Sequence, residues 1–314
     1  MPSSTADPSA PLPSVCCVVS TLGQRPAELQ RTLRSALDQR RVDGGGPLAV
    51  EVVVVADGVP LPPLPSVPDG SPSVVRGIEL PQNLGIPGAR NAGIAATTAD
   101  LVLVLDDDGW LPDDDVLDRT RRRFAADPRL GIVSLRIVDP ESGTTLRRHV
   151  PRIGSGDPMR SSEVTIFQGG ACVLRRTMLA DCARPDGPLP GSFVYGHEET
   201  DLAWRALDHG WRIRYQADAV MNHPATTPDR HAVYYRLNAR NRVWVARRNL
   251  PAPLVPVYLG VWAAIMLARL KNLGLLRTWW AGFVEGWRTD PGLRRPIRWR
   301  TVWRMTRLGR PPVI

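Results

Sequence analysis

The chain has few of the residues and patterns that mark several common classes of protein. Lysine is almost absent, since Lys271 is the only lysine among the 40 basic residues. The four cysteines form no CxxC pair, which excludes the usual zinc and redox spacings and favours buried, reduced thiols in a cytoplasmic protein. There is no GxGxxG or GxxxxGKS/T motif, so the sequence does not fit the dinucleotide-binding or P-loop classes.

Long hydrophobic runs and a targeting signal are missing too. Residues 254–268 form an uncharged, mostly apolar run of fifteen residues, whereas a helix that crosses a bilayer needs about twenty. Residues 1–14 have neither the basic start nor the apolar stretch of a secretory signal, and we expect them to form a disordered leader. With 43% hydrophobic and 23% charged residues, the chain of 314 residues has the composition of a folded globular protein.

The net charge of +9 is concentrated at one end of the chain. From Arg269 onwards there are eleven basic residues and only two acidic ones, Glu285 and Asp290, whereas the first 268 residues carry 29 of each sign. Six of the ten tryptophans also lie after residue 260. We therefore predict a neutral body at 15–250 and a basic, tryptophan-rich helical tail at 251–314.

The first hundred residues of the body alternate between strand and helix patterns. Apolar runs at 15–20, 51–57 and 101–105 predict strands that are covered on both faces, and 74–80 is a further strand candidate. Helical spacing lies between them, at 29–37 and 85–93. This alternation predicts an α/β fold with a mostly parallel sheet flanked by helices.

Three of these strands end in polar residues, namely Ser20-Thr21, Asp57 and Asp106-Asp107-Asp108. Ligands of such sheets lie outside the carboxyl ends of the strands, so we expect these side chains to share one site. Three adjacent carboxylates repel one another unless a cation is present, and their oxygens suit Mg²⁺ or Mn²⁺. The alternative is a solvated loop that caps the helix after Pro112.

Three other segments carry chemistry that the local sequence leaves open. Glu198, Glu199 and Asp201 begin a helix, where acids either cap the helix or supply a general base. His223 is either a structural side chain or a nitrogen ligand beside the aspartates. The glycines and Arg90 of 83–93 would suit a diphosphate at a helix start.

The order of these segments resembles the inverting glycosyltransferases of family 2, which have the GT-A fold, a Rossmann-like sheet flanked by helices. The resemblance covers about residues 15–250. The matching pieces are Thr21 to Arg25 with 33–39, Val55-Ala56-Asp57-Gly58, Asn83-Leu84-Gly85 with Arg90-Asn91-Ala92-Gly93, Leu105 to Asp108, Gln168-Gly169-Gly170-Ala171 with 174–176, Glu198 to Leu202, and Asn222-His223-Pro224.

The resemblance implies a nucleotide-binding half at 15–108, an acceptor half at 109–250, and a role for each matched residue. Glu199 would be the catalytic base, flanked by Glu198 and Asp201. Asp106, Asp108 and His223 would hold Mn²⁺ or Mg²⁺. The nucleotide sugar would be bound by Thr21, Arg25, Asp57, Arg90, Asn91, Asp106, Asp107 and Gly170. Two positions depart from the family pattern: Ala56 replaces the first acid of an Asp-Asp pair, and Glu199 stands where aspartate is commoner.

The implied reaction moves a sugar from a UDP- or dTDP-sugar to a hydroxyl of a glycan or lipid-linked acceptor, in cell-envelope polysaccharide or glycoconjugate synthesis. A weaker resemblance, in His223-Pro224, 240–242 and the tail, is to bacterial galactofuranosyl- and rhamnosyltransferases. The alternatives are a nucleotidyltransferase of similar fold and a catalytically silent, membrane-associated scaffold.

The tail predicts the cellular location. Tryptophan and arginine together favour an interfacial helix on an anionic leaflet, so we expect a cytoplasmic protein bound peripherally to the inner face of the cell membrane. The alternative is a helical hairpin that packs on the body. We expect no nucleic-acid partner, and the sequence leaves the oligomeric state open.

Overall fold

The computed structural model describes residues 11–153, 156–225 and 232–314, and its centre is a mostly parallel sheet. In chain order the strands are β1 (Val15–Thr21), β2 (Val50–Asp57), β3 (Val74–Leu80), β4 (Leu101–Asp106), β5 (Leu130–Val138), β6 (Ser162–Glu163), β7 (Ala171–Arg175) and β8 (Arg212–Asn222). The eight strands of the described residues lie in the order β3-β2-β1-β4-β7-β5-β8-β6. Antiparallel pairing occurs where β7 meets β4 and β5 and where β6 meets β8.

Helices cover both faces of this sheet. They are α1 (Pro26–Leu37), α2 (Gly85–Ala95), α3 (Val116–Ala126), α4 (Arg176–Cys182), α5 (Glu198–Asp208), α6 (Ala232–Asn249), α7 (Leu254–Arg269), α8 (Leu273–Arg288) and α9 (Trp299–Arg307). The strand and helix expectations for the first hundred residues are confirmed, because each falls on one of these elements. Residues 59–73, which are rich in proline, form no strand or helix.

The central strands are buried on both faces because alternate side chains enter two different cores. Cys16 and Val18 of β1 belong to the core under α2, α5 and α6, whereas Cys17 and Val19 belong to the core under α1 and α3. All four cysteines are buried and free, as expected. The α/β prediction is therefore confirmed down to the alternation along a single strand.

The start of β1 is anchored at residue 14. The Ser14 amide and hydroxyl both donate to Oδ2 of Asp100, at 2.9 and 2.7 Å. Residues 1–10 of the predicted leader lie outside the described residues, so the structure bears only on its last four positions.

The tail packs against the body, as in the helical hairpin that the sequence left as the alternative. Val255, Tyr258 and Leu259 of α7 are buried, and so are Thr301, Val302 and Met305 of α9. Helix α8 lies along α6, where Gly282 and Gly286 meet the backbone of Arg236 and Arg240. Within the described ranges, no helix is long and apolar enough to cross a bilayer.

We predict that Gly282→Ala destabilises the fold. An added Cβ would overlap the carbonyl oxygen of Arg236, so α8 would have to move away from α6 at a cost of about 1–3 kcal/mol. Gly260→Ala on α7 is the matched control, since no atom lies within 4 Å of its added Cβ and alanine favours helix by up to about 1 kcal/mol. Urea unfolding measures both. Equal stability of the two variants would contradict the close packing of α6 and α8.

Candidate active site

The carboxyl ends of β1, β2 and β4 open into a cleft of about 460 Å³, which we call the strand-end cleft. Asp57 at the end of β2 accepts a hydrogen bond from the Leu84 amide, at 2.7 Å, and so fixes the chain just before α2. The strand ends therefore meet as the sequence predicted. The predicted site residues that line this cleft are Thr21, Arg25, Asp57, Asp106, Asp107, Asp108 and His223.

Asp107 is held by the β1 side of the cleft. Its Oδ2 accepts a hydrogen bond from the Thr21 hydroxyl at 2.7 Å, and Nη1 of Arg25 lies 3.4 Å from Oδ1. Burial raises the pKa of Asp107 although both contacts oppose that change. The protein itself therefore uses this carboxylate to join β1 and the loop after it to the end of β4.

Asp108 lies between the side chains of Arg25 and His223. The guanidinium of Arg25 contacts Oδ2, and Nε2 of His223 lies 3.1 Å from Oδ1. Burial opposes ionisation of this carboxylate, which is 5% exposed, but His223 and Arg25 outweigh it and lower the pKa of Asp108. Asp107 and Asp108 are adjacent in the chain, yet their pKa values move in opposite directions.

The ring of His223 is oriented by its own chain. Nδ1 lies 2.8 Å from the carbonyl oxygen of Pro224 and donates to it, which directs Nε2 towards Asp108. Burial lowers the pKa of His223, but the Asp108 carboxylate outweighs burial and raises it. His223 thus presents one ring nitrogen, already aimed, to the strand-end cleft.

The pair Asp108 and His223 fits a divalent cation, whereas the predicted triad with Asp106 does not form. Oδ1 of Asp108 is buried without a well-formed hydrogen bond, and its 3.1 Å distance to Nε2 is close to the spacing of about 3 Å between adjacent ligands of an octahedral Mg²⁺. In the described part of the chain, no three His, Cys, Asp or Glu side chains converge on one metal position. Asp106 pairs with Arg90 instead, through Oδ1.

Arg90 bridges β4 and α5. Its guanidinium, on a residue that is 4% exposed, lies 3.0 Å from Oδ1 of Asp106 and 3.1 Å from Oε1 of Glu198. The acidic neighbours outweigh burial and raise the pKa of Arg90 further, so the group stays charged. The arginine that the sequence assigned to a diphosphate therefore holds two carboxylates of the site in place.

Gly169 and Gly170 leave room for these acids. A Cβ on Gly170 would overlap the Asp106 carboxylate, and a Cβ on Gly169 would overlap Oε1 of Glu199. Gly170 also accepts a hydrogen bond from the Asp106 amide, at 3.2 Å. Any side chain at position 170 would therefore displace Asp106, and the predicted contact of Gly170 with the nucleotide sugar stays a prediction.

A second cleft of about 290 Å³, here called the α5 cleft, meets the first at Asp106 and contains Glu199. Burial, and then the charge of Glu198, raise the pKa of Glu199 to about 8, against the opposing charge of Arg90. A carboxyl whose pKa lies near the working pH is suited to accept a proton from a hydroxyl. The two clefts also share Ile86, Tyr195 and His223.

Asp201 does not reach either cleft, which corrects its assignment as a flanking catalytic acid. It is fully buried and pairs with Arg205 at 2.7 Å, Arg248 at 3.1 Å and, at 3.8 Å, Arg184. Burial raises its pKa, but these arginines outweigh burial and lower the pKa to about 2. Asp201 lies two residues after Glu199 on α5, so it points to another side of the helix and stabilises the core.

Asn91 is likewise directed away from both clefts. Its Nδ2 donates to the carbonyl of Leu189 at 2.8 Å, and its Oδ1 accepts from the Leu189 amide at 3.0 Å. The predicted diphosphate contact is therefore replaced by a structural one, which holds the loop after α4. Arg90 and Asn91 are adjacent on α2 and so face different directions.

Asn241 clamps the loop 191–197, a contact that the sequence did not predict. Nδ2 of Asn241 lies 2.8 to 3.0 Å from the carbonyl oxygens of Phe193, Tyr195 and Gly196. The loop needs such support because Val194 has a φ of 62° and His197 a φ of 72°, in the left-handed region that costs free energy for residues other than glycine. No local pattern links 241 to a loop more than forty residues earlier.

Comparison with known proteins agrees with this arrangement. Residues 16–182 match the family described as "Glycosyl transferase family 2". Two curated proteins of Mycobacterium tuberculosis, from strains CDC 1551 / Oshkosh and ATCC 25618 / H37Rv, are both named pre-mycofactocin glycosyltransferase and are 27% identical to the chain over 212 residues. The match covers 63% of this chain and 40% of each relative, so the chain spans less than half the length of these relatives.

Solved structures show the same fold. The mannosyltransferase PcManGT from Pyrobaculum calidifontis, in complex with GDP-Man and Mn²⁺, has a TM-score of 0.53 and 21% identity, and the match covers 91% of this chain and 78% of that one. Residues 1–349 of TarS from S. aureus, in complex with UDP-GlcNAc, have a TM-score of 0.56 and 13% identity, with 92% and 83% covered. The predicted GT-A fold class is confirmed.

We predict that Glu199→Gln changes how stability depends on pH. Because the folded-state pKa is raised from 4.5 to about 8, the native protein keeps a proton that the unfolded chain releases, and stability falls as the pH rises through this window. The variant lacks this loss. Its unfolding free energy relative to wild type should therefore increase between pH 5 and pH 8, by on the order of 2 kcal/mol.

Thermal unfolding of both proteins at pH 5, 6, 7 and 8 measures the effect. Glu141→Gln is the control, since Glu141 is exposed and its loss should leave the pH dependence of the wild type unchanged. A difference between Glu199→Gln and wild type that stays constant over this range would show that the Glu199 carboxyl is not held in its protonated form.

Proposed function

The chain belongs to glycosyl transferase family 2, and from this premise we propose that it moves a sugar from a nucleoside-diphosphate sugar to an acceptor hydroxyl with inversion at the anomeric carbon. The observation that carries the proposal is the meeting of two clefts at Asp106. One contains the strand-end carboxylates with His223, and the other contains Glu199, a half-buried glutamate whose pKa is raised. Donor and acceptor would meet where the clefts join.

The strand-end cleft is the proposed donor site. Its volume of about 460 Å³ lies within the range for small-molecule sites, and Asp57 and Thr21 line the wall that would receive the nucleoside. The cationic Arg25 lies beside Asp107 and Asp108 and would face the diphosphate. PcManGT and TarS are solved with GDP-Man and with UDP-GlcNAc, which supports a nucleotide sugar in this cleft without deciding its base.

Asp108 and His223 are the residues that would hold Mn²⁺ or Mg²⁺. When bound, the cation would act as a Lewis acid that neutralises charge on the departing nucleoside diphosphate. PcManGT and GalNAc-T7 are solved with Mn²⁺, which supports a divalent ion here without choosing between the two metals. Asp106 would support the site through its pair with Arg90.

Glu199 is the proposed base. It removes the proton of the acceptor hydroxyl while that oxygen forms a bond to the anomeric carbon. The bond between this carbon and the diphosphate oxygen breaks on the opposite face, and the nucleoside diphosphate leaves with the electron pair. Glu198 positions Arg90 and, by its charge, keeps the proton affinity of Glu199 high. The sugar configuration is inverted without a covalent intermediate on the protein.

Turnover of UDP-, dTDP- and GDP-sugars in the presence of Mn²⁺ or Mg²⁺ tests this proposal. We expect release of nucleoside diphosphate by the wild type. Asp108→Ala should remove metal-dependent donor binding. Glu199→Gln should keep donor binding and lose transfer by a factor of about 10² or more, the usual contribution of a general base.

Asp114→Ala is the matched control for Asp108→Ala, because the Asp114 side chain is 65% exposed and lines neither cleft. Equal turnover of all variants would overturn the site assignment. Release of pyrophosphate would instead identify a nucleotidyltransferase, and the absence of metal-dependent nucleotide binding in calorimetry would identify a silent scaffold.

We propose further that the protein works peripherally on the cytoplasmic face of an anionic membrane, on a glycan or lipid-linked acceptor of cell-envelope synthesis. The outward face of α9 supports this location. Trp299 and Trp303 are 49% and 60% exposed, and Arg300 and Arg307 on the same helix are also exposed, while Thr301, Val302 and Met305 face the core. Tryptophan beside arginine suits the headgroup region of such a membrane. The galactofuranosyl- or rhamnosyl-type specificity stays a prediction.

Vesicle sedimentation tests the membrane contact. We expect the wild type to bind vesicles of anionic phospholipid and not vesicles of phosphatidylcholine alone, and Trp299→Ala with Trp303→Ala to weaken binding at least tenfold. Val42→Ala with Val74→Ala is the control, since these residues are similarly exposed and lie outside the tail. Binding that is absent in the wild type, or that falls equally in the control, would contradict this location.

A further inference from the structure

A third cavity, of about 90 Å³, begins at the turn of α5 that carries Glu199 but shares no lining residue with the two clefts. We call it the tail cavity. His197 and Thr200 form one wall, and Arg242 of α6 forms another. Trp262 of α7 and Arg310, after the end of α9, complete the enclosure.

The tail cavity collects buried polar atoms that have no hydrogen-bond partner. Four such atoms of the described residues line it, namely Oγ1 of Thr165, Nε2 of His197, Nε of Arg242 and Nε1 of Trp262. The arginine and tryptophan atoms can only donate, and the threonine hydroxyl can donate as well. A buried donor without a partner costs about 1–3 kcal/mol, so this grouping indicates a bound acceptor.

The side chains that line the tail cavity carry positive charge and no negative charge. Arg242 is 7% exposed, and its contacts are the Tyr258 hydroxyl at 3.1 Å and the face of the Trp262 ring at 3.6 Å. Among the described residues, no carboxylate lies within ion-pair distance of Arg242 or Arg310, and no acidic side chain lines the cavity. A buried cation without a counter-charge is strongly unfavourable.

Comparison with the other buried arginines shows that this is unusual for the protein. Arg90, Arg184, Arg205 and Arg248 are buried to a similar degree, and each lies within 3.8 Å of at least one carboxylate. The fold therefore supplies a carboxylate to each of these four buried guanidinium groups. The Arg242 guanidinium has no such carboxylate and lines the enclosed tail cavity instead.

We propose that the tail cavity binds a phosphate-sized oxyanion. Its volume accommodates a tetrahedral anion and is far below that of the strand-end cleft, so it is too small for a nucleotide sugar. The anion would accept hydrogen bonds from the unpartnered donors and neutralise Arg242 and Arg310. Water could fill the same space but would leave both charges uncompensated. The anion is either free phosphate or the phosphate group of a lipid.

Occupancy would stabilise the turn that carries the proposed base. His197 lies directly before Glu198, in the left-handed conformation at φ 72°, and Thr200 follows Glu199. An anion held between this turn, α6 and the end of the tail would link the three without entering either cleft. The site is thus independent of the donor and acceptor chemistry proposed above.

Thermal unfolding of the full chain in inorganic phosphate, against chloride at equal ionic strength, tests the proposal. We expect the Tm of the wild type to rise with phosphate and to saturate, as it does for a ligand that binds the folded state. Arg310→Gln should weaken the apparent affinity at least tenfold. Arg242→Gln should weaken the affinity to a similar extent if the variant folds. If it does not fold, the result for Arg310→Gln decides the test.

Two controls locate the effect. Arg300→Gln removes an exposed arginine of the tail, and Arg25→Gln removes the arginine of the strand-end cleft; both should keep the phosphate response. Short-chain phosphatidic acid replaces phosphate in a second arm, and stabilisation by either, lost in Arg310→Gln, supports the site and identifies the source. No stabilisation by either, an unchanged response in Arg310→Gln, or its loss in Arg25→Gln would overturn the proposal.

Discussion

The charge of Arg90 is the constraint on which both halves of the site depend. Its guanidinium joins Asp106, at the end of β4, to Glu198, at the start of α5, so a central strand and a helix from a later part of the chain share one buried cation. Asp106 and Glu198 lie 92 residues apart in the chain. Without the cation, the partly exposed Asp106 carboxylate and the buried Glu198 carboxylate would repel each other across the junction of the clefts, and the relative position of β4 and α5 would no longer be fixed.

A second charge network, around Asp201, joins α5 to α6 and to the tail on the side of α5 that faces away from the clefts. Asp201 joins α5 to Arg248 of α6, and the same guanidinium donates to the carbonyl oxygen of Pro291 in the tail. Arg184 adds a contact with the carbonyl oxygen of Leu293. The helix that carries Glu199 is therefore tied to the tail through its opposite side. This connection explains how a segment that looks separate in composition is part of the same folded unit.

Most residues of the strand-end cleft could be predicted from the sequence, because their meeting follows from the topology of the sheet alone. Parallel strands that end in Thr21, Asp57 and Asp106 must bring these residues to one edge of the sheet, and they do. The directions of neighbouring side chains on one helix could not be predicted from the sequence. Arg90 and Asn91, or Glu199 and Asp201, are close in the chain, but their directions depend on which side of the helix meets the core.

The parts that could not be predicted rest on distant partners. The Asn241 clamp depends on a loop from another segment of the chain. The ion pair of Asp106 likewise depends on Arg90, which another element, α2, brings to the end of β4. The sequence does carry one indication that the tail packs against the body, namely the spacing of two glycines in α8. Gly282 and Gly286 are spaced by one helical turn, which is typical of a close helix contact, whereas the basic and tryptophan-rich character of the same segment favoured an interfacial helix on a membrane.

The start of β7 has a consequence for how this active site could change. Gly169 and Gly170 are neighbours, yet one abuts the acid that would take the proton and the other the acid at the cleft junction. A methyl group at position 169 would therefore displace Glu199, whereas one at position 170 would displace Asp106. Substitutions that alter substrate preference would have to occur at other lining residues, such as Tyr195, because positions 169 and 170 have no space for a side chain.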